Sequence, residues 1–161
     1  MKRRDFVRTT GLSATTLAAG SPFLFTKRNP TSEVIRVGVI GTGSRGSGLT
    51  RTIKHIPALE VTACCDILPF RLEEGLQHTD AAKPYQDYRA LLNDQQLDAV
   101  IIATPLYLHA QMAADAPDAG KHVYCEKTMV KGISNLQPVI NKSNQKKDLV
   151  FQTGHQYHSS P

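Results

Sequence analysis

The chain has 161 residues, 40% hydrophobic and 20% charged, the balance of an ordinary globular domain with a real core and not of a fibrous or disordered chain. Its formal net charge is +5, but residues 1–28 hold six basic side chains against Asp5 alone, leaving 13 basic and 13 acidic groups in the rest. The body therefore offers no basic stripe to track phosphates, which argues against nucleic acid as a partner.

The first 28 residues read as an export leader: a charged start, a mildly apolar middle from Gly11 to Phe25, and small residues at Ala18, Ala19 and Gly20. Arg3 and Arg4, with Phe6 two residues beyond, resemble the twin-arginine class. An ordinary basic arm and a Sec signal are the alternatives. The expectation is recognition by twin-arginine export machinery and delivery to the periplasm or cell envelope. The leader is too short and too polar for a membrane span. Residues 29–33 form a polar linker with Pro30.

Residues 34–40 (VIRVGVI) predict a strand closing on glycines, and 44–56 a helix with Leu49, Ile53 and Ile56 on one face. A second strand spans 59–65 and ends at Asp66; 68–77 starts a helix at Pro69, where a missing N–H does no harm. A short helix follows at 88–96, an apolar strand at 98–104, and a helix at 106–120 frayed by Pro117 and stopped by Gly120. The pattern continues with a strand at 121–127, a helix at 133–145 and a strand at 148–154. Strands that are apolar throughout and alternate with helices predict a doubly wound α/β parallel sheet over residues 34–154, with 155–161 crossing towards a further domain. Cys64, Cys65 and Cys125 fall in these apolar runs and read as buried thiols, with no metal-ligand spacing.

The first strand runs into a G-x-G-x-x-G turn at Gly41, Gly43 and Gly46, with Thr42, Ser44 and Arg45 between. Strand before, helix after, and Asp66 twenty residues beyond Gly46 make this a dinucleotide-site pattern. The glycines permit a tight turn and close approach of a pyrophosphate to the helix N-terminus. Asp66 would accept from the ribose hydroxyls and repel a 2′-phosphate, favouring NAD over NADP; Arg71 softens that choice if it folds back to the ribose. Thr104-Pro105 and Glu126-Lys127 close two further strands at the edge where open sheets bind ligands. Glu126 and Lys127 are adjacent on an extended backbone and so point to opposite faces. A lysine beside a cationic nicotinamide should have a lowered pKa and suit proton exchange with a substrate hydroxyl.

VGVIGTGSRG, ACCDILPFRLEE, DAVIIATPLYLHA and GKHVYCEKTM together resemble the N-terminal half of the Gfo/Idh/MocA oxidoreductase family, over residues 34–161. The resemblance implies an NAD(P)-binding Rossmann domain followed by an α/β substrate domain, and hydride transfer at a sugar or cyclitol hydroxyl. It implies Lys127 as the catalytic lysine, Glu126 beside the nicotinamide, and Thr104, Pro105 and His109 lining the cofactor. Gln156 would stand near the active site, and the full-length form would be a homo-oligomer. Thr128 stands where the family usually has proline, Leu106 where asparagine is common, and His158 where arginine is frequent. The sequence stops where the substrate domain should begin, so 161 residues are not expected to make a complete enzyme. Two other readings remain open: an NAD-dependent glycosidase working by transient oxidation and elimination, and a non-catalytic nucleotide-binding remnant.

Overall fold

The computed structural model describes residues 34–80 and 82–155, so the leader, the linker and Gln156 lie outside the described residues. The elements in chain order are β1 (Ile35–Ile40), α1 (Ser44–Ile53), β2 (Leu59–Cys65), α2 (Pro69–Leu76), β3 (Lys83–Tyr85) and α3 (Tyr88–Leu92). The second half repeats the alternation: β4 (Ala99–Ile102), α4 (Leu106–Asp118), β5 (His122–Glu126), a 3-10 turn (Ile133–Asn135), α5 (Leu136–Gln145) and β6 (Phe151–Gly154). Every strand pair is parallel, in the order β3-β2-β1-β4-β5-β6. The order reverses between β1 and β4, which opens a crevice at their carboxyl ends. This is the doubly wound sheet that the apolar strands predict. Among the described residues no helix is long and apolar enough to cross a membrane.

Two cores separate the layers. On one face α3, α4 and α5 bury Leu91, Met112, Ala113, Ala116 and Val139 against Ile40, Val100, Ile102, Val123 and Cys125. On the other, α1 sets Ile53 and Leu49 against Val37, Val39 and Ile101. The helix keeps Gly46, Ser47 and Thr50 on its buried side, and these small residues bring it close to the sheet. It ends at Ile53, so Ile56 falls in the turn beyond and is half-exposed, one face residue fewer than the spacing predicts.

A register shift in the β1–β2 pairing fixes the side on which Asp66 emerges. Val37 pairs with Val61, but Gly38 pairs with Ala63, so Thr62 is an extra residue. Before it, Leu59 and Val61 pack with the α1 cluster; after it, Ala63 and Cys65 join the opposite core. One inserted residue thus reverses the alternation of the strand just before its functional end.

Cys64, Cys65 and Cys125 are free and buried, and burial pushes each thiol up to about 12. They are packing groups, not nucleophiles. An apolar groove of about 450 Å³ opens on the α1 side of the sheet, lined by Leu49, Ile53, Ala99, Ile101 and Tyr124 among others. It runs along the body of the strands, below the carboxyl edge that carries the polar groups.

Candidate functional site

The site begins where β1 leaves the sheet. Gly41 has φ +89°, and a Cβ there would lie 2.8 Å from the Ala103 carbonyl atoms, so the turn at this point takes glycine alone. Gly46 packs against the Gly41 carbonyl with no room for a side chain. Gly43, the N-cap of α1, has open space above it, with no heavy atom within 4 Å of a Cβ. No side chain caps this helix and its first turn holds no acid. Its leading N–H groups, beginning at exposed Ser44 and Arg45, are therefore available to an anion.

Asp66 stands across this turn. Its Oδ2 accepts from the Thr42 N–H at 2.9 Å and its Oδ1 from the Leu68 N–H at 3.0 Å. The Thr42 hydroxyl donates to the Arg71 carbonyl at 2.7 Å and lies 3.4 Å from Asp66 Oδ2. The carboxylate thereby ties the glycine turn to the start of α2 and keeps lone pairs for further donors. The Arg71 guanidinium is turned onto Glu74 at 3.2 Å and over the Phe70 ring at 5.2 Å. It does not fold back onto Asp66 in this arrangement.

A groove of about 640 Å³ runs from Asp66 past Gly41 and Gly43 to Thr104 and Pro105, with Tyr88, Arg89 and Tyr107 also on its walls. Arg71 lines it as well; His109 does not. His109 is buried, with Nδ1 2.9 Å from the Thr128 carbonyl and Nε2 2.8 Å from the Thr104 carbonyl. It ties the end of β4 to the segment after β5 from beneath the site. The peptide between Lys127 and Thr128 in that segment is cis.

At the end of β5 the two adjacent ionic groups part company. Lys127 is exposed, and among the described residues its ammonium has no ion pair. The Glu126 carboxylate is buried and pairs with Arg45 of α1 at 2.6 Å. Its N–H neighbour is Lys127, at 3.3 Å from Oε2. The hydrogen bond to Glu126 holds the Arg45 guanidinium above its ordinary value. Tyr124, two residues back on the same side of the strand, reaches the same Glu126 oxygen at 3.4 Å; burial, then the Glu126 charge, raise its phenol pKa. Neither Tyr124 nor Gly154, which pairs with Glu126 across to β6, stands out in the sequence. The period of two from Glu126 was the available signal for Tyr124.

An open anion-binding turn, a carboxylate twenty residues on and a groove long enough to join them fit a dinucleotide. Residues 35–155 match the family described as "Oxidoreductase family, NAD-binding Rossmann fold". The chain belongs to the Gfo/Idh/MocA family. An inositol 2-dehydrogenase of Salmonella paratyphi B is 34% identical over 74% of this chain and 36% of its own length. A glycosyl hydrolase family 109 protein of Shewanella pealeana is 30% identical over 90% of this chain and 37% of its own. The scyllo-inositol dehydrogenase of Lactobacillus casei, solved with bound NAD(H) and scyllo-inositol, superimposes with a TM-score of 0.74 at 25% identity, covering 80% of this chain and 38% of that one. The chain thus spans under two fifths of the length of these Gfo/Idh/MocA relatives.

Proposed function

We propose that this chain is the NAD-binding part of an oxidoreductase that moves a hydride between a nicotinamide and a sugar or cyclitol carbon bearing a hydroxyl. The observation that carries it is the order of groups along one sheet edge: Asp66, the open turn at Gly43, Thr104, then Glu126 and Lys127. In this reading Asp66 accepts from the adenosine ribose, and the α1 N-terminus faces the pyrophosphate. Bound NAD supplies the hydride acceptor. Lys127 takes the proton of the substrate hydroxyl; like Glu126 it does not line the groove, and its exposure lets it meet a substrate from outside. The inositol dehydrogenase relatives support the substrate class. The remaining substrate contacts and a homo-oligomer are proposed for the part of the relatives' length that this chain does not span.

The test is turnover by the full natural chain with NAD and a panel of cyclitols and sugars. Lys127→Ala should lower kcat at least about a hundredfold, the usual size of a lost general base, while NADH binding stays within a few-fold. Unchanged turnover in that variant would deny Lys127 the part of general base, and a wild-type chain that turns over none of the panel would leave only the nucleotide-binding remnant. A second reading, glycosidic cleavage through transient oxidation and elimination, is compatible with the Shewanella relative. Release of aglycone without net NADH decides for it.

We further propose export by the twin-arginine route, on the strength of Arg3, Arg4 and Phe6 ahead of a weakly apolar stretch. The protein would then work in the periplasm or cell envelope.

A further inference from the structure

Glu126 puts a carboxylate only 5% exposed at the carboxyl end of β5, and a buried anion needs a partner. The partner comes from elsewhere in the chain. Arg45 reaches over from the first turn of α1 to Oε1 at 2.6 Å, and the Tyr124 hydroxyl lies 3.4 Å from the same atom. Gly154 of β6 makes room for both: a Cβ there would lie 2.6 Å from the Tyr124 oxygen and 3.0 Å from Glu126 Oε1. Three elements are thus shaped around one ion pair. The guanidinium is about half-exposed.

Its position decides what the pair can do. If Asp66 marks the adenosine end and Gly43 the pyrophosphate, the nicotinamide end lies further along the edge, past β4 towards β5. That is where the pair stands. The oxidised ring carries a positive charge and the reduced ring none. A lone carboxylate beside the ring would favour the oxidised form, and a lone guanidinium the reduced form. Their close pair sums to nearly zero.

We propose that the Arg45–Glu126 pair sets the balance between oxidised and reduced cofactor at this site, Arg45 cancelling the preference for the oxidised form that buried Glu126 alone would impose. This rests on the cofactor reading above and adds which redox form the protein holds. Arg45 acts as a positioning and charge-balancing residue; nothing in the step requires it to touch the substrate.

The experiment uses the full natural chain and measures Kd for NADH by fluorescence, with NAD and ADP-ribose by competition. ADP-ribose lacks the nicotinamide and reports any lost pyrophosphate contact, which cancels in the NADH-to-NAD ratio. Arg45→Met should move that ratio about tenfold towards the oxidised form, and Glu126→Gln about tenfold towards the reduced form, the scale of one unit charge a few ångströms off in a protein-like dielectric. The double variant should return it to near the wild-type ratio. Arg45→Lys, which keeps the charge, should leave it nearly unchanged. If Arg45→Met fails to fold, the Glu126→Gln arm still decides. Single variants that weaken all three ligands equally, with the ratio unmoved, overturn the inference and reduce the pair to a structural tie. A wild-type chain that binds none of the three overturns the cofactor reading and this one with it.

Discussion

Asp66 serves two partners at once, holding Thr42 and Leu68 by their N–H groups while its remaining lone pairs face the groove. Its charge is what a ribose diol would use and what a 2′-phosphate would meet as repulsion. Asp66→Asn keeps the shape and removes the charge. NAD should bind about tenfold more weakly, the cost of hydrogen bonds to a charged acceptor, while NADP loses less, so the preference for NAD shrinks. Titration of both nucleotides checks it, and equal losses would deny Asp66 any part in the choice. This residue was legible from spacing alone, because a strand, a turn and a second strand fix its distance from the glycines. The Arg45–Glu126 pair was not, since its partners are 81 residues apart and meet only once α1 lies beside β5. The resemblance implies His109 as a wall of the cofactor site, whereas in the fold it is buried outside the groove with both ring nitrogens on carbonyls.

At the scale of elements, the helices and five of the six strands follow from apolar runs and their breaks. β3 did not, because Lys83, Pro84 and Tyr85 form a three-residue edge strand with no apolar run to mark it. What anchors it is charge. Asp94, after α3, accepts from Lys83 Nζ at 3.0 Å and from the Tyr85 hydroxyl at 2.9 Å through Oδ2, and from the Gln96 N–H at 2.9 Å through Oδ1. The ammonium of buried Lys121 donates to the Asp94 carbonyl at 2.7 Å and to that of Leu97 at 2.9 Å, joining the start of β5 to the same turn. Burial alone would raise the Asp94 pKa, but the Gln96 N–H, Lys83 and Tyr85 together hold it below the ordinary carboxylate value. A depressed carboxylate stabilises the fold above its unfolded pKa, and that contribution is lost as pH falls through the folded pKa. Asp94→Asn should therefore cost about 1–2 kcal/mol at neutral pH, or roughly 5 °C in Tm, with the gap to wild type closing below about pH 4. Thermal melts of the two proteins across pH check this; a gap that persists in acid would mean the tie is steric.

For the whole molecule, the doubly wound sheet follows from the alternation of apolar strands with helices and so was legible in the sequence, while the strand order that opens the crevice between β1 and β4 comes from the fold. The apolar groove beside α1 was not, because its walls come from α1, β4 and β5 at once and no single run of sequence marks it. The proposed export raises a demand of its own. Free NAD is scarce outside the cytoplasm, so a dehydrogenase working there has to bring its cofactor along. The twin-arginine route moves folded proteins, and three unpaired, buried thiols suit folding in a reducing compartment. A retained nucleotide must then be reduced by one substrate and reoxidised by another without leaving, which calls for similar affinity for both redox forms. That is the balance assigned above to Arg45 and Glu126. The full natural protein isolated from the cell envelope should release a stoichiometric amount of NAD(H) on denaturation. Changing Arg3 and Arg4 to lysine should leave the precursor in the cytoplasm. An envelope product that is free of nucleotide and turns over only with added NAD would sink the closed cycle, while cofactor binding by the site would stand.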